Sequence, residues 1–364
     1  MRVYEKFDQL EFIFCLPYIM SRPMRLISRR ICTRRTIMNN MTYNSNDNIK
    51  HQQYELNDNF DEKIHYYSRK KQTPVSLQSL LDASRGETLN TTQSMLPPSK
   101  EQADKICISI ANFLRRELPI RLAHRVIELE NLPFYKLSKS IQYVCSWYKA
   151  SFTHIQSLPT VIDDTEKEQL FAQILDSLYD RHSSTLIYMA RGAYEVRSQM
   201  KSTHSFTESR DIQSRLDDFY QSRIGLRVLS GQYLQLRKTL YDDKLWNPNT
   251  LGLVSMKCSV RDIAMDAARD ASYMCSRSFG DAPEVTFHGR TDLSFPYVPS
   301  HLSYMLLELL KNSMRATAEA HPIESLPPIR IVIADGEDNE DVSKLNKLYL
   351  NSYIICVSYT QILY

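Results

Sequence analysis

The chain has 364 residues, 43% of them hydrophobic and 24% charged, which is the composition of a globular protein with material for two cores. Its net charge of +3 is concentrated in residues 1–50, where nine Lys/Arg face four acids; the rest carries −2, which excludes a nucleic-acid reading based on overall basicity. Seven cysteines (Cys15, Cys32, Cys107, Cys145, Cys258, Cys275 and Cys356) fall in no zinc or redox spacing, which excludes a disulfide scaffold and points to a reducing compartment.

Between Phe12 and Asn46 there are six arginines, several Ser/Thr and no acid. That composition predicts a mitochondrial transit peptide within residues 1–50, with a plain basic tail as the other reading. The apolar run at residues 12–20 is too short to span a bilayer, so no membrane insertion is expected. Residues 40–63 are rich in Asn, Asp and Gln and read as a lead-in.

A helical half follows over residues 64–240. Ile106, Ile110, Phe113 and Leu114 form one apolar face at helical spacing, with Ser99 after Pro97-Pro98 as its cap. Ile141, Val144, Cys145, Tyr148 and Phe152 repeat the pattern, as do Phe171, Ile174, Leu175, Leu178 and Tyr179. Ile212, Leu216, Phe219 and Tyr220 make the fourth such segment. Breaks at Leu132-Pro133, at Leu158-Pro159 and around residues 201–205 separate them, so the spacing predicts a four-helix bundle.

The character changes near Trp246-Asn247-Pro248. Residues 260–278 read as a helix, 284–288 as a strand, 302–320 as a long helix, and 329–334 as an Ile/Val-rich strand after Pro327-Pro328. Strand, helix, strand predicts a second, mixed α/β domain over residues 247–343, and an α+β fold class overall.

The chemistry lies on the long helix. Glu308, Asn312, Arg315 and Glu319 stand at i, i+4, i+7 and i+11 as a narrow polar stripe, while Met305, Leu306, Leu309, Leu310 and Met314 occupy much of the remaining circumference. Spacing alone also fits a solvated face. An Asn carbonyl, however, is a hard oxygen ligand suited to Mg²⁺, and a carboxylate one turn earlier can take a proton from an attacking hydroxyl.

The segment Glu308-Leu-Leu-Lys-Asn312-Ser-Met-Arg315-Ala-Thr317 resembles the N box of the mitochondrial kinases that phosphorylate pyruvate and branched-chain 2-oxoacid dehydrogenases, members of the GHKL ATPase group. Residues 73–82 (Thr-Pro-Val-Ser-Leu-Gln-Ser-Leu-Leu-Asp), 117–125, 219–227 and 295–301 are similar to that family too, and the resemblance runs from about Tyr67 to Val342. Arg181-His-Ser-Ser184 with Met189-Ala-Arg-Gly192 is more similar to fungal pyruvate dehydrogenase kinases than to the branched-chain type.

The resemblance implies a helical-bundle regulatory domain followed by a GHKL-type α/β sandwich that binds ATP. It implies Asn312 as Mg²⁺ ligand, Glu308 as general base on a substrate serine, and Lys311 and Arg315 as partners of the phosphates. It further implies a matrix location, the dehydrogenase component and lipoyl domain of a 2-oxoacid dehydrogenase complex as partners, and a homodimer. Tyr304 stands where many pyruvate-type members have His, and Tyr233 also replaces a usual His. His124 matches a family position and is expected to be structural.

After Asn312 the chain has one glycine, Gly336, where the family has a glycine-rich turn, lid and second glycine box. The sandwich is therefore expected to be incomplete and ATP binding impaired. In residues 344–364 there is no Gly and no acid, and 15 of the 21 residues are Lys, Asn, Tyr, Ile or Leu. That bias predicts a retained intron or mispredicted exon beginning near Ser343; the other reading is a genuine short ending with residues 353–359 as an edge strand. A non-catalytic module that docks on a lipoyl domain is the alternative function.

Overall fold

A computed structural model describes residues 58–86, 97–199 and 210–334, and the backbone of 354–358. The expected transit segment, the break around 201–205 and most of the tail lie outside the described residues. The fold is α+β, with long helices and two three-stranded sheets. Its contacts divide it into two units: described residues 58–74 with 111–230, and 75–110 with the described residues from 231 onward.

The first unit is helical. It holds α1 (Asp58–Ser68), most of α3 (Lys100–Glu130), α4 (Lys139–Gln156), α5 (Thr165–Arg181), α6 (Thr185–Gln199) and most of α7 (Arg210–Leu240). Ser99 and Gln102 bond reciprocally at the start of α3, Ser99 N donating to Gln102 Oε1 at 2.9 Å, as the cap reading expects. The four apolar stripes bury Leu114, Leu118, Ile141, Val144, Tyr148, Phe152, Phe171, Leu175 and Phe219.

Helix α6 was not legible as a separate apolar stripe, because its sequence mixes Tyr188, Gly192 and Tyr194 with little periodicity. The reason for Gly192 lies in packing. A Cβ there would meet Ile141 Cγ1 at 2.5 Å and Ser138 Oγ at 2.8 Å, so α6 approaches α4 backbone to side chain. In an open helix Gly→Ala stabilises by up to about 1 kcal/mol. Here the sign reverses: Gly192→Ala is expected to cost about 1–3 kcal/mol of overpacking, read as a lower urea midpoint.

Loops of this unit are held by side chains of α3. Asn112 exchanges two hydrogen bonds with the backbone of Ile162, and Arg115 donates to the carbonyls of Leu158 and Pro159, fixing the α4–α5 connection. Glu117 accepts from Thr73 N and Oγ1 and from Arg121 Nε, all within 2.9 Å. His124 Nε2 donates to the Lys70 carbonyl at 2.9 Å. That bond is the structural role expected of it.

The second unit includes α2 (Leu77–Arg85), the antiparallel sheet β1 (Thr250–Leu251), β2 (Val254–Ser259) and β4 (Ser294–Tyr297) in order β1-β2-β4, and a parallel sheet. The parallel sheet runs β3 (Val285–Gly289), β5 (Ile329–Ala334), β6 (Ile354–Ser358). Edge strand β6 falls where the genuine-ending reading of the tail placed one. Helices α8 (Val260–Phe279) and α9 (Pro299–Ala320) pack lengthwise on each other.

The small buried face of α8 (Ala264, Ala267, Ala268, Ala271) lets the Leu306, Leu310 and Met314 side of α9 come close. On β5, Ile329, Ile331 and Ile333 are buried on one side. Gly289 closes β3 at φ +83°; a Cβ would lie 2.2 Å from the Ile333 carbonyl oxygen, so only glycine fits. The β1–β2 hairpin was not foreseen because β1 is two residues long. Gln232 holds it, donating to the Leu251 carbonyl and Ser84 Oγ at 2.9 Å while accepting from Leu253 N at 2.7 Å.

Candidate active site

Helix α9 begins on a fixed anchor. Val298 is buried with Leu81, Leu251 and Val254, and Pro299 occupies the first turn, where its missing N–H costs nothing. From that start the helix carries Glu308, Lys311, Asn312 and Arg315 in two successive turns.

The polar residues do not form one uniformly exposed stripe. Glu308 is only 5% exposed, whereas Asn312, Arg315 and Glu319 face solvent. The ammonium of Lys311 lies 3.1 Å from Glu308 Oε1, and both side chains are largely buried. Arg315 Nε donates to Glu319 at 2.9 Å on the surface. The apolar circumference also divides. Leu306, Leu310 and Met314 are buried, but Met305 and Leu309 flank the polar residues at 39% and 48% exposure.

The arrangement has a chemical consequence. A carboxylate withdrawn from water is held in place by the neighbouring ammonium, and removing one partner of such a pair is costly. One turn on, the Asn312 carboxamide projects outward and can offer one neutral oxygen. Among the described residues no group of three or more His, Cys, Asp or Glu could cage a metal ion. A single exposed carboxamide oxygen is a ligand of the kind Mg²⁺ accepts, since that ion takes few protein ligands and completes its shell with phosphate and water. Lys311 and Arg315 supply positive charge within one helical turn of Asn312, each already tied to an acid it would share with phosphate. Tyr304 sits one turn before Glu308, its hydroxyl out of solvent.

A second constellation, not singled out from the sequence, lies inside the helical unit. Tyr148, Tyr179, His182, Arg223, Arg227 and Ser230 line a cavity of about 20 Å³. Arg227 stacks 3.9 Å from the Tyr179 ring, and His182 stacks on Tyr148 at 4.3 Å while its Nε2 meets Ser151 Oγ at 3.0 Å. Burial, with Arg181, Arg223 and Arg227 adding repulsion, depresses the His182 imidazole to about 3. Burial pushes the Tyr148 phenol up to about 12. The positive charge of the cavity therefore comes from the guanidinium groups. A signal was present: Arg223 sits in the core register of α7 between Phe219 and Leu226, where an apolar residue is expected.

Among the described residues no helix is long and apolar enough to cross a membrane. Residues 74–255 match the family model described as mitochondrial branched-chain alpha-ketoacid dehydrogenase kinase. The chain is 36% identical over 283 residues to the mitochondrial [pyruvate dehydrogenase (acetyl-transferring)] kinase of Arabidopsis thaliana, covering 76% of this chain and 69% of the relative. It is 31% identical over 293 residues to the isozyme 3 kinases of Mus musculus and Homo sapiens, again over 76% of this chain. Those matches span 64% and 66% of the mammalian proteins, less than two thirds of their length.

Proposed function

Since the chain belongs to the mitochondrial pyruvate and branched-chain 2-oxoacid dehydrogenase kinase family, we propose that it is a protein-serine/threonine kinase of the mitochondrial matrix. Its substrate is the dehydrogenase component of a 2-oxoacid dehydrogenase complex, pyruvate dehydrogenase in the first instance, which phosphorylation inactivates. In this reading residues 64–240 are a four-helix-bundle regulatory domain that meets a lipoyl domain. Residues 247–343 are the N-terminal half of a GHKL-type sandwich, and the kinase works as a homodimer.

The observation that carries the reading is the geometry of α9: a buried carboxylate, Glu308, one turn from an exposed carboxamide, Asn312, with Lys311 and Arg315 beside them. Asn312 would hold Mg²⁺, which would supply charge neutralisation to the ATP phosphates. Glu308 takes the proton of the substrate hydroxyl as it attacks, and Lys311 holds that carboxylate in place. Arg315 turns from Glu319 to phosphate at small cost, because an exposed pair is worth at most about 1 kcal/mol. Positioning and charge neutralisation are what phosphoryl transfer asks of a protein.

Phosphoserine formation on purified pyruvate dehydrogenase component tests this. Glu308→Gln keeps the side-chain volume and is expected to lower the rate on the order of 10²–10⁴-fold, the usual worth of a general base. An unchanged rate would remove Glu308 from the chemistry.

A second reading is a lipoyl-domain binding module with impaired ATP binding. Calorimetric titration with Mg-ATP separates the readings: saturable nucleotide binding supports the kinase, and its absence beside intact lipoyl-domain binding supports the module.

A further inference from the structure

One face of the helical unit combines an exposed tyrosine and two half-buried rings with positive charge. Along α4, Lys139, Tyr143 and Trp147 stand at i, i+4 and i+8, a single ridge of the helix. The opposite ridge (Ile141, Val144, Cys145, Tyr148, Phe152) fills the core, whereas on this one Tyr143 is exposed and Trp147 half-buried. Tyr188 of α6 joins it, edge-on to Tyr143 at 6.4 Å and to Trp147 at 4.8 Å. The short 3-10 turn Tyr135–Leu137 ahead of α4 packs against both helices and brings Lys136 and Leu137 to the same end. Gln142 fixes that turn by donating to the carbonyls of Tyr135 and Lys136. Tyr143 is 45% exposed and Leu137 44%.

The charge carried by these two helices is mainly positive. Helix α4 contains no acid and α6 only Glu195. The Glu195 carboxylate is already occupied by Ser138 Oγ, by Ser140 N and Oγ, and by Arg191 at 3.3 Å. Among the described residues Lys136 and Lys139, both exposed, enter no salt bridge, and Arg191 remains 65% exposed. Lys149, further round α4, is tied to Glu130 at 2.7 Å and adds nothing to this face. Aromatic residues with basic neighbours are the composition of an interface centre and its rim.

We propose that this α4–α6 face docks an acidic protein surface, carboxylates around an apolar centre, and that the dehydrogenase component presents it; the identity of the partner rests on the kinase reading above. Charge complementarity selects that occupant. A second copy of the chain would bring the same lysines face to face, which like-charge repulsion disfavours. Bases of a nucleic acid need open ring faces to stack on, whereas these rings are engaged edge-to-face with one another. A membrane surface needs a broad exposed apolar face to insert, and here Trp147 and Tyr188 are half-buried against each other.

The test is a binding titration by surface plasmon resonance between the full chain and purified pyruvate dehydrogenase component. Lys136→Glu with Lys139→Glu, and separately Tyr143→Ser, are each expected to weaken binding at least about tenfold. Circular dichroism and the thermal midpoint should stay unchanged, since these side chains lie off the core. Equal affinity of parent and variants, or no binding by the parent, overturns the proposal. So does binding of the parent to anionic vesicles or single-stranded RNA with none to the dehydrogenase component. A short serine peptide from the dehydrogenase component lacks the folded surface that this face would dock, so the variants should phosphorylate it as the parent does. If the parent phosphorylates neither peptide nor protein, the kinase reading fails, while the titration still decides the docking face.

Discussion

Asn312→Ala is expected to lower phosphoryl transfer at least about 100-fold while leaving the fold intact. The size follows from what the residue supplies. Its carboxamide oxygen is exposed to solvent, whereas the Glu308 carboxylate is held by Lys311 and that of Glu319 by Arg315. A lost metal ligand removes charge stabilisation that no neighbour restores, and such electrostatic contributions run to factors of about 10²–10³, about 2.7–4 kcal/mol. The fold is spared because the side chain faces solvent, where substitutions usually stay within about 0.5 kcal/mol. Arg315→Ala, by contrast, removes a peripheral cation and should cost less. Assaying both variants with Mg-ATP, beside their urea midpoints, checks the order; a stronger effect at Arg315 would contradict the assignment of the metal ligand.

The largest expected effect of pH is on stability, and it centres on His182. In the folded chain this imidazole is depressed to about 3, by burial first and then by Arg181, Arg223 and Arg227. An unfolded histidine protonates near about 6.5. Between those values the unfolded state binds more protons than the native state, so stability is complete above about pH 6.5 and is lost as pH falls through the window toward about 3. The loss by about pH 5 is about 2 kcal/mol, before most carboxylates begin to titrate. His154, also lowered by burial and by Arg181, acts in the same direction. Urea midpoints at about pH 7 and about pH 5 measure it. The parent should be markedly weaker at the lower pH, and His182→Gln, which cannot titrate, should show a flatter response. Equal pH dependence would mean that the imidazole is protonated in the folded chain.

Much of this was legible in the sequence, and the failures have physical causes. The Ile329–Ala334 strand and the helix after Ser259 were readable because burial on one side forces a clean period. Short β1 and glycine-bearing α6 were not, since tertiary contacts rather than local pattern maintain them: the Gln232 carboxamide for the hairpin, and the Ser138, Ser140 and Glu195 hydrogen bonds for α6 against α4. Spacing placed Glu308 and Asn312 on one stripe, but it could not say that Glu308 is buried with Lys311 while Asn312 is exposed. Periodicity assigns a face; the neighbours across it decide what that face does. The cavity at His182 was hidden for the same reason, its lining side chains scattered over α4, α5 and α7 until the helices pack.

Transfer of labelled γ-phosphate from ATP to purified pyruvate dehydrogenase component tests most directly whether α9 carries the working groups of a Mg-ATP-dependent protein kinase. The parent chain is assayed beside Glu308→Gln and Asn312→Ala. Serine labelling that requires Mg²⁺ and is nearly abolished in both variants is the predicted result. No labelling by the parent, with lipoyl-domain binding intact, would contradict it.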